Sequence, residues 1–136
     1  MADTMQFDLV SPERSLHSAQ VTKVQLHGEE GEMTVMPGHA TVVTLLRPGF
    51  LTVYEGGEGH DYVVTGGFAE IGPEGVSVLA EQATLRNDVT TDWIDRVIEQ
   101  AEKAALEAPD DTRITMNQRV NHARYIAQQL GIGSDI

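Results

Sequence analysis

Between residues 5 and 86 apolar and polar positions change over every residue or two. After that the apolar residues recur at a spacing of three and four. Phe7 and Leu9 alternate with polar neighbours, and Val21-Thr-Lys-Val-Gln-Leu26 is β-branched and partly alternating. Met33–Met36 and Val42–Leu46 are short apolar runs bounded by Gly28, Gly31, Pro37-Gly38 and Pro48-Gly49. Proline presets φ for a turn and glycine accepts the positive φ that follows. The two runs therefore read as strands joined at the corner Pro37-Gly-His-Ala40. Phe50–Tyr54 and Asp61–Thr65 flank Glu55-Gly-Gly-Glu-Gly-His60, which predicts a hairpin with a long glycine loop. Gly72-Pro-Glu-Gly75 separates Phe68–Ile71 from Val76–Ala80 in the same way, and Gly66-Gly67 predicts a bulge or a crowded backbone crossing. Many short strands with close-set turns predict a β-sandwich.

The change comes near Arg86. Thr91 is placed to cap a helix beginning at Asp92. Ile94, Val97, Ile98, Ala101, Ala104, Ala105 and Ala108 form one helical face, and Pro109-Asp-Asp111 stops it. Thr115-Met-Asn-Gln118 has the form of a capping box, Met116, Val120, Ala123, Ala127 and Leu130 share a face, and Gly131 suits a C-terminal stop. The predicted fold is mainly β plus α, with a β-sandwich over 1–86 followed by an antiparallel two-helix hairpin over 87–136. The shared helical face is mostly alanine, so the hairpin buries little apolar area. A segment this small is expected to need something to dock on.

Charge sharpens the picture of the hairpin. Asp88, Asp92, Asp95, Glu99, Glu102, Glu107, Asp110 and Asp111 face only Arg96 and Lys103, whereas 112–134 carry Arg113, Arg119 and Arg124 and no acid. Opposite signs on adjacent helices favour their pairing modestly. The whole chain of 136 residues has a formal charge of −12. That excludes nucleic acid and an anionic lipid surface as direct partners. There is no cysteine, hence no disulfide and no thiolate metal site. No apolar run approaches the roughly 20 residues of a membrane helix, and Met1-Ala-Asp-Thr-Met has neither a basic leader nor an apolar signal core. Any membrane association is therefore expected through another protein.

Catalytic chemistry finds little support. The five histidines, His17, His27, His39, His60 and His122, show no ligand spacing such as i, i+4. There is no Gly-x-x-x-x-Gly-Lys-Ser/Thr loop, no Gly-x-Gly-x-x-Gly after a strand and no Gly-x-Ser-x-Gly. Glu29, Glu30 and Glu32 read as an acidic solvated turn, since exposed unpaired acids seldom carry the perturbed pKa that catalysis needs. Two rival readings stay open on the residues alone. One is a metal-dependent enzyme using His27, His39 and His60. The other is a free-standing carbohydrate-binding sandwich using Tyr54, Tyr62 and a few phenylalanines.

The stretch Gly28–Gly49 separates these readings. It resembles the signature Gly-x-Glu-Gly-x-x-x-x-x-Pro-Gly-His-Ala-x-x-x-Thr-x-x-x-Pro-Gly of the epsilon subunit of F-type ATP synthase, called delta in animal mitochondria. The matching residues are Gly28, Glu30, Gly31, Pro37, Gly38, His39, Ala40, Thr44, Pro48 and Gly49. Gly66-Gly67-Phe68-Ala69-Glu70 resembles the family's Gly-Gly-x-x-Glu, and Val78-Leu79-Ala80 its next strand. The similarity covers residues 5 to about 85.

The resemblance implies a non-catalytic central-stalk (rotor) subunit of a proton-translocating synthase, without cofactor or metal. It would couple rotation of the membrane c ring to the catalytic head through the gamma subunit. It also implies a peripheral location on the cytoplasmic face of the bacterial inner (plasma) membrane. Glu32, with Glu29, Glu30 and Met33 at the same edge, would face the polar loops of the c ring. His39 and Thr44, with Ala40 and Val42 nearby, would face gamma. In some bacterial relatives the helical hairpin extends to the alpha/beta catalytic subunits and inhibits hydrolysis, and some bind ATP through Ile/Leu-Asp-x-x-Arg-Ala. Here Ile94-Asp95 is followed by Arg96-Val97-Ile98-Glu99, so the ATP motif is not met.

Overall fold

The computed structural model describes residues 3–132. The outermost residues at both ends, including Met1-Ala2 of the N-terminal reading and 133–136 of the hairpin segment, lie outside the described residues. The chain divides into two compact units, Met1–Arg86 and Asn87–Ile136.

The first unit holds ten strands: β1 Met5–Val10, β2 Ser15–Val21, β3 Lys23–Gly28, β4 Gly31–Val35, β5 Val42–Leu46, β6 Gly49–Glu55, β7 Glu58–Val64, β8 Gly67–Gly72, β9 Gly75–Ala80 and β10 Ala83–Leu85. They run in the order β10-β7-β6-β3-β5-β8-β9-β1-β2, with β4 beside β3. β3 and β5 meet only at Gly28↔Leu46. That single bridge splits the order into a first sheet, β10-β7-β6-β3-β4, and a second, β5-β8-β9-β1-β2, which form the sandwich. All neighbours are antiparallel except β1 and β9, which pair in parallel.

The core follows the period of two that a pleated strand imposes. β1 turns Met5, Phe7 and Leu9 inward; β3 contributes Val24 and Leu26; β6 contributes Leu51 and Val53; β8 and β9 contribute Ala69, Ile71, Val76, Val78 and Ala80. Burying each large side chain of this kind stabilises by about 1.5–3 kcal/mol relative to exposure.

Several local expectations change. Val21–Leu26 is not one strand: the chain bends at Thr22, so β2 pairs with β1 while β3 pairs with β4 and β6. β2 itself has a weak pattern because it is an edge strand, exposed at three of its seven positions. The apolar runs flanking the 37–40 corner do not pair with each other. β4 turns back on β3, and β5 joins β8. The corner is thus a crossing from one sheet to the other. The β6–β7 hairpin is tighter than its glycine content suggests, because pairing continues to Glu55↔Glu58. Gly67 is the crowded crossing expected of Gly66-Gly67: a Cβ there would lie 2.0 Å from the Leu79 carbonyl oxygen, at a φ of +119°.

The second unit holds α1 Thr91–Glu107 and α2 Arg113–Leu130. Thr90, not Thr91, is the N-cap of α1, and its side chain accepts from the Trp93 N–H. α2 starts two residues before the capping box read from sequence. Its N-cap Thr112 has helical dihedrals and donates its hydroxyl to the Pro109 carbonyl instead of capping. Gly131 closes α2 in the left-handed conformation at φ 66°, as expected of a C-terminal glycine. Ile94, Val97, Ile98 and Ala105 are buried on α1, and Val120, Ala123, Ile126 and Ala127 on α2. Arg124 bridges to Glu102 at 2.7 Å, one instance of the opposite-charge pairing.

Candidate partner-binding site

The acidic edge is built by the β3–β4 turn. Gly28↔Gly31 closes the hairpin and leaves Glu29-Glu30 as its two-residue loop. Gly31, at φ 129°, takes the conformation that a side chain would resist. Arg47 ties the turn down by donating from Nη2 to the Glu29 carbonyl at 2.6 Å, and the Glu29 N–H donates to the Leu45 carbonyl at 2.7 Å. Arg47 is therefore spent on a backbone oxygen. Glu29, Glu30 and Glu32 are all exposed, and among the described residues no Lys or Arg pairs with their carboxylates. The result is a fixed backbone carrying three uncompensated acids.

The corner after β4 is also fixed. The Gly38 N–H donates to the Pro73 carbonyl at 3.0 Å, the His39 N–H donates to the Met36 carbonyl at 3.2 Å, and His39 Nδ1 lies 2.7 Å from the Ala40 carbonyl. A carbonyl only accepts, so Nδ1 carries the proton and Nε2 is the acceptor of the neutral ring. Ala40 and Val42 are exposed and Thr44 is half-buried. Thr44 also meets the acidic edge. A Cβ on Gly28 would lie 2.8 Å from Thr44 Oγ1 and 3.5 Å from Met33 Sδ. One residue from each of the two predicted contacts, Met33 and Thr44, thus lies beside Gly28, where the two sheets touch.

Sequence reasoning missed a feature beside them. On the second sheet the outward positions of four neighbouring strands stand in one cross-strand row, Leu45↔Phe68↔Leu79↔Val10. Leu45 is 58% exposed, Leu79 45% and Val10 36%, with Val43 at 64% on the same side of β5. Contiguous apolar exposure of this kind marks an interaction surface. The available signal was apolar residues at both parities of β5 and β9, which a one-sided strand does not need.

The rival sites do not assemble in this way. His27 packs against Gly49, His39 holds the corner, and His60 lies beside His17. Among the described residues no three His, Cys, Asp or Glu side chains are grouped to hold a metal ion. Tyr62 is 4% exposed within the core, and Tyr54 is covered by Lys23 Nζ, 4.4 Å from its ring centroid. Neither offers the open aromatic platform that a sugar would need.

Residues 4–86 match the family described as the beta-sandwich domain of the ATP synthase delta/epsilon chain. The chain is 53% identical over 111 residues to an ATP synthase epsilon chain of a Ruegeria species, covering 82% of this chain and 81% of that one. It is 51% identical over 105 residues to an ATP synthase epsilon chain of Rhodobacter capsulatus, covering 77% and 80%. A chain in the structure of the Euglena gracilis mitochondrial ATP synthase, described as OSCP/F1/c-ring, superposes with a TM-score of 0.71 at 25% identity, covering 96% of this chain and 83% of that one. A chain of the Tetrahymena thermophila central stalk and c ring shares the fold at a TM-score of 0.65 and 16% identity, covering 93% and 96%.

Proposed function

The chain belongs to the delta/epsilon family of ATP synthase subunits, and from that premise we propose that its sandwich is the rotor contact, with the Gly28–Gly49 region addressing two neighbours. It is a central-stalk subunit, and the finer assignment is as follows. Glu29, Glu30, Glu32 and Met33 face the c ring. His39, Ala40, Val42 and Thr44 face gamma, and the row Leu45, Phe68, Leu79 and Val10 extends that second surface. The subunit then transmits torque and carries no catalytic group of its own. Its place at the membrane is peripheral, on the cytoplasmic side, held through these partners. Among the described residues no helix is long and apolar enough to cross a bilayer.

The observation that carries this reading is the pairing of a rigid, uncompensated acidic turn with an exposed apolar face on one sandwich. An acidic contact suits the basic and amide groups of a polar ring loop. An apolar row suits a permanent contact with a shaft. The hairpin, with Leu106 83% exposed and Ile114 75% exposed, is the element proposed to reach the alpha/beta subunits.

The test is a titration against purified gamma with the wild type, Leu45→Asp and Glu32→Lys, followed by reconstitution into the synthase. Leu45→Asp should weaken gamma binding by at least about tenfold, since it places an unpaired charge in the contact. Glu32→Lys should leave gamma binding intact and reduce proton-driven synthesis. Unchanged synthesis with Glu32→Lys would remove the c-ring assignment, and unchanged gamma affinity with Leu45→Asp would remove the apolar row from the interface.

A further inference from the structure

Among the described residues, β3 is the strand that hydrogen-bonds into both sheets. It follows β6 as far as Gln25↔Thr52 and then bridges to β5 at Gly28↔Leu46. On either side of that bridge the two segments are tied again. The Arg47 N–H donates to the His27 carbonyl at 3.0 Å, and the Glu29 N–H donates to the Leu45 carbonyl at 2.7 Å. The Arg47 side chain adds a further tie, from Nη2 to the Glu29 carbonyl at 2.6 Å. Its donor is charged, so this bond is stronger than one between neutral groups. Glu29 is thus held at both backbone groups, the N–H by β5 and the C=O by Arg47.

We infer that Arg47 is the positioning residue of the rotor contact. It locks the acidic turn onto β5, so that load applied to the turn passes into the gamma-facing strand and not into bending of the β3–β4 hairpin. The inference rests on the assignment of the turn to the c ring and of β5 to gamma. The hairpin alone holds the turn poorly. β4 pairs with β3 and, among the described residues, with no other strand. The ladder ends at Gly28↔Gly31, so Glu29-Glu30 project beyond its last pair. A two-stranded hairpin has little stability of its own. The ties from β5 therefore supply the second anchor, and the Arg47 bond is the one that a side-chain substitution removes. Its acceptor matters too. An arginine paired with the carboxylates would also hold the turn, but it would cancel the charge offered to a basic ring loop. Bonded to a carbonyl, Arg47 fixes the backbone and leaves Glu29, Glu30 and Glu32 exposed.

Amide hydrogen exchange on the full chain tests the lock. Arg47→Ala should speed exchange of the Glu29 amide by at least about fivefold, since opening the turn no longer breaks a charge-assisted bond. Arg47→Lys keeps a charged donor of similar reach for a single oxygen and should stay within about twofold of wild type. Glu29→Gln should also stay within about twofold, because the lock grips the carbonyl and not the carboxylate. Unchanged exchange in Arg47→Ala, or acceleration in Arg47→Lys or Glu29→Gln equal to that in Arg47→Ala, would overturn the lock.

The reconstituted synthase tests the consequence. Arg47→Ala should lower proton-driven synthesis at least about twofold while assembly and gamma affinity stay at wild-type levels, and Arg47→Lys should restore it. A residue that merely stabilised the fold would lower assembly, gamma affinity and synthesis together, and that result would overturn the inference. Normal synthesis with Arg47→Ala beside a loss with Glu32→Lys would overturn this inference alone. Normal synthesis with both variants would remove the c-ring assignment beneath it.

Discussion

Single atoms decide several positions in this molecule. Gly67 has no room for a side chain, because the obstacle is the Leu79 carbonyl of the paired strand and a backbone cannot step aside cheaply. Gly67→Ala should therefore cost at least about 3 kcal/mol in urea unfolding, combining the clash with an unfavourable positive φ. Tyr62 makes a different prediction. Burial, and secondarily the Glu55 carboxylate, push its phenol above the usual tyrosine range. The unfolded chain ionises near the ordinary value of about 10 while the folded chain stays protonated. The unfolded state then binds fewer protons, so this contribution is fully present below about pH 10 and is lost as pH rises toward the raised folded value. Tyr62→Phe should flatten that part of an alkaline unfolding profile, which a stability series from pH 8 upward would reveal.

At the scale of elements, strands and helices were legible to different depths. Alternation identified β1, and turn signals between apolar runs identified β4 to β9, all of which contribute residues to the core. β2 was not visible, since Ser15-Leu-His-Ser-Ala-Gln-Val21 lacks a clean alternation and owes its extended form to pairing with β1. The helices were found by period, but their starts were displaced, because several threonines compete to cap. Thr90 won at α1 because its extended dihedrals let the side chain reach the Trp93 N–H at 3.1 Å. Thr90→Ala should lower the stability of the hairpin by about 1 kcal/mol, while Thr91→Ala should cost much less. Helical ellipticity during thermal unfolding of the two variants would separate them. The Arg124–Glu102 pair is partly exposed and contributes no more than about 1 kcal/mol.

For the whole molecule, the functional consequences lie in what the fold brings together. The acidic turn, the corner and the apolar row come from β3, β4, β5, β8, β9 and β1, and they are neighbours because the β4–β5 connection crosses between sheets at the 37–40 corner and β5 then bridges back to β3 at Gly28. The departure at Ile98-Glu99 from the nucleotide motif belongs to this scale, because it concerns what the assembled subunit senses. ATP at millimolar concentration should leave the melting temperature unchanged, since only a ligand that binds the folded state raises it. A clear upward shift in a thermal scan would reverse that expectation.

The sequence alone determined the fold class, the division near Arg86, the main core strands and the turn-rich motif that pointed to the family. All of these depend on local rules: side-chain period, proline and glycine dihedrals, and motif order. Tertiary structure alone decided that the runs around Pro37-Gly38 belong to different sheets and that Thr44 and Met33 both lie beside Gly28. It also decided that Leu45, Phe68, Leu79 and Val10 align, and that Arg47 reaches the Glu29 carbonyl. Each of these joins residues far apart in the chain, and strand order and register are set by the collective burial of a shared core. No single segment carries that information in its own pattern.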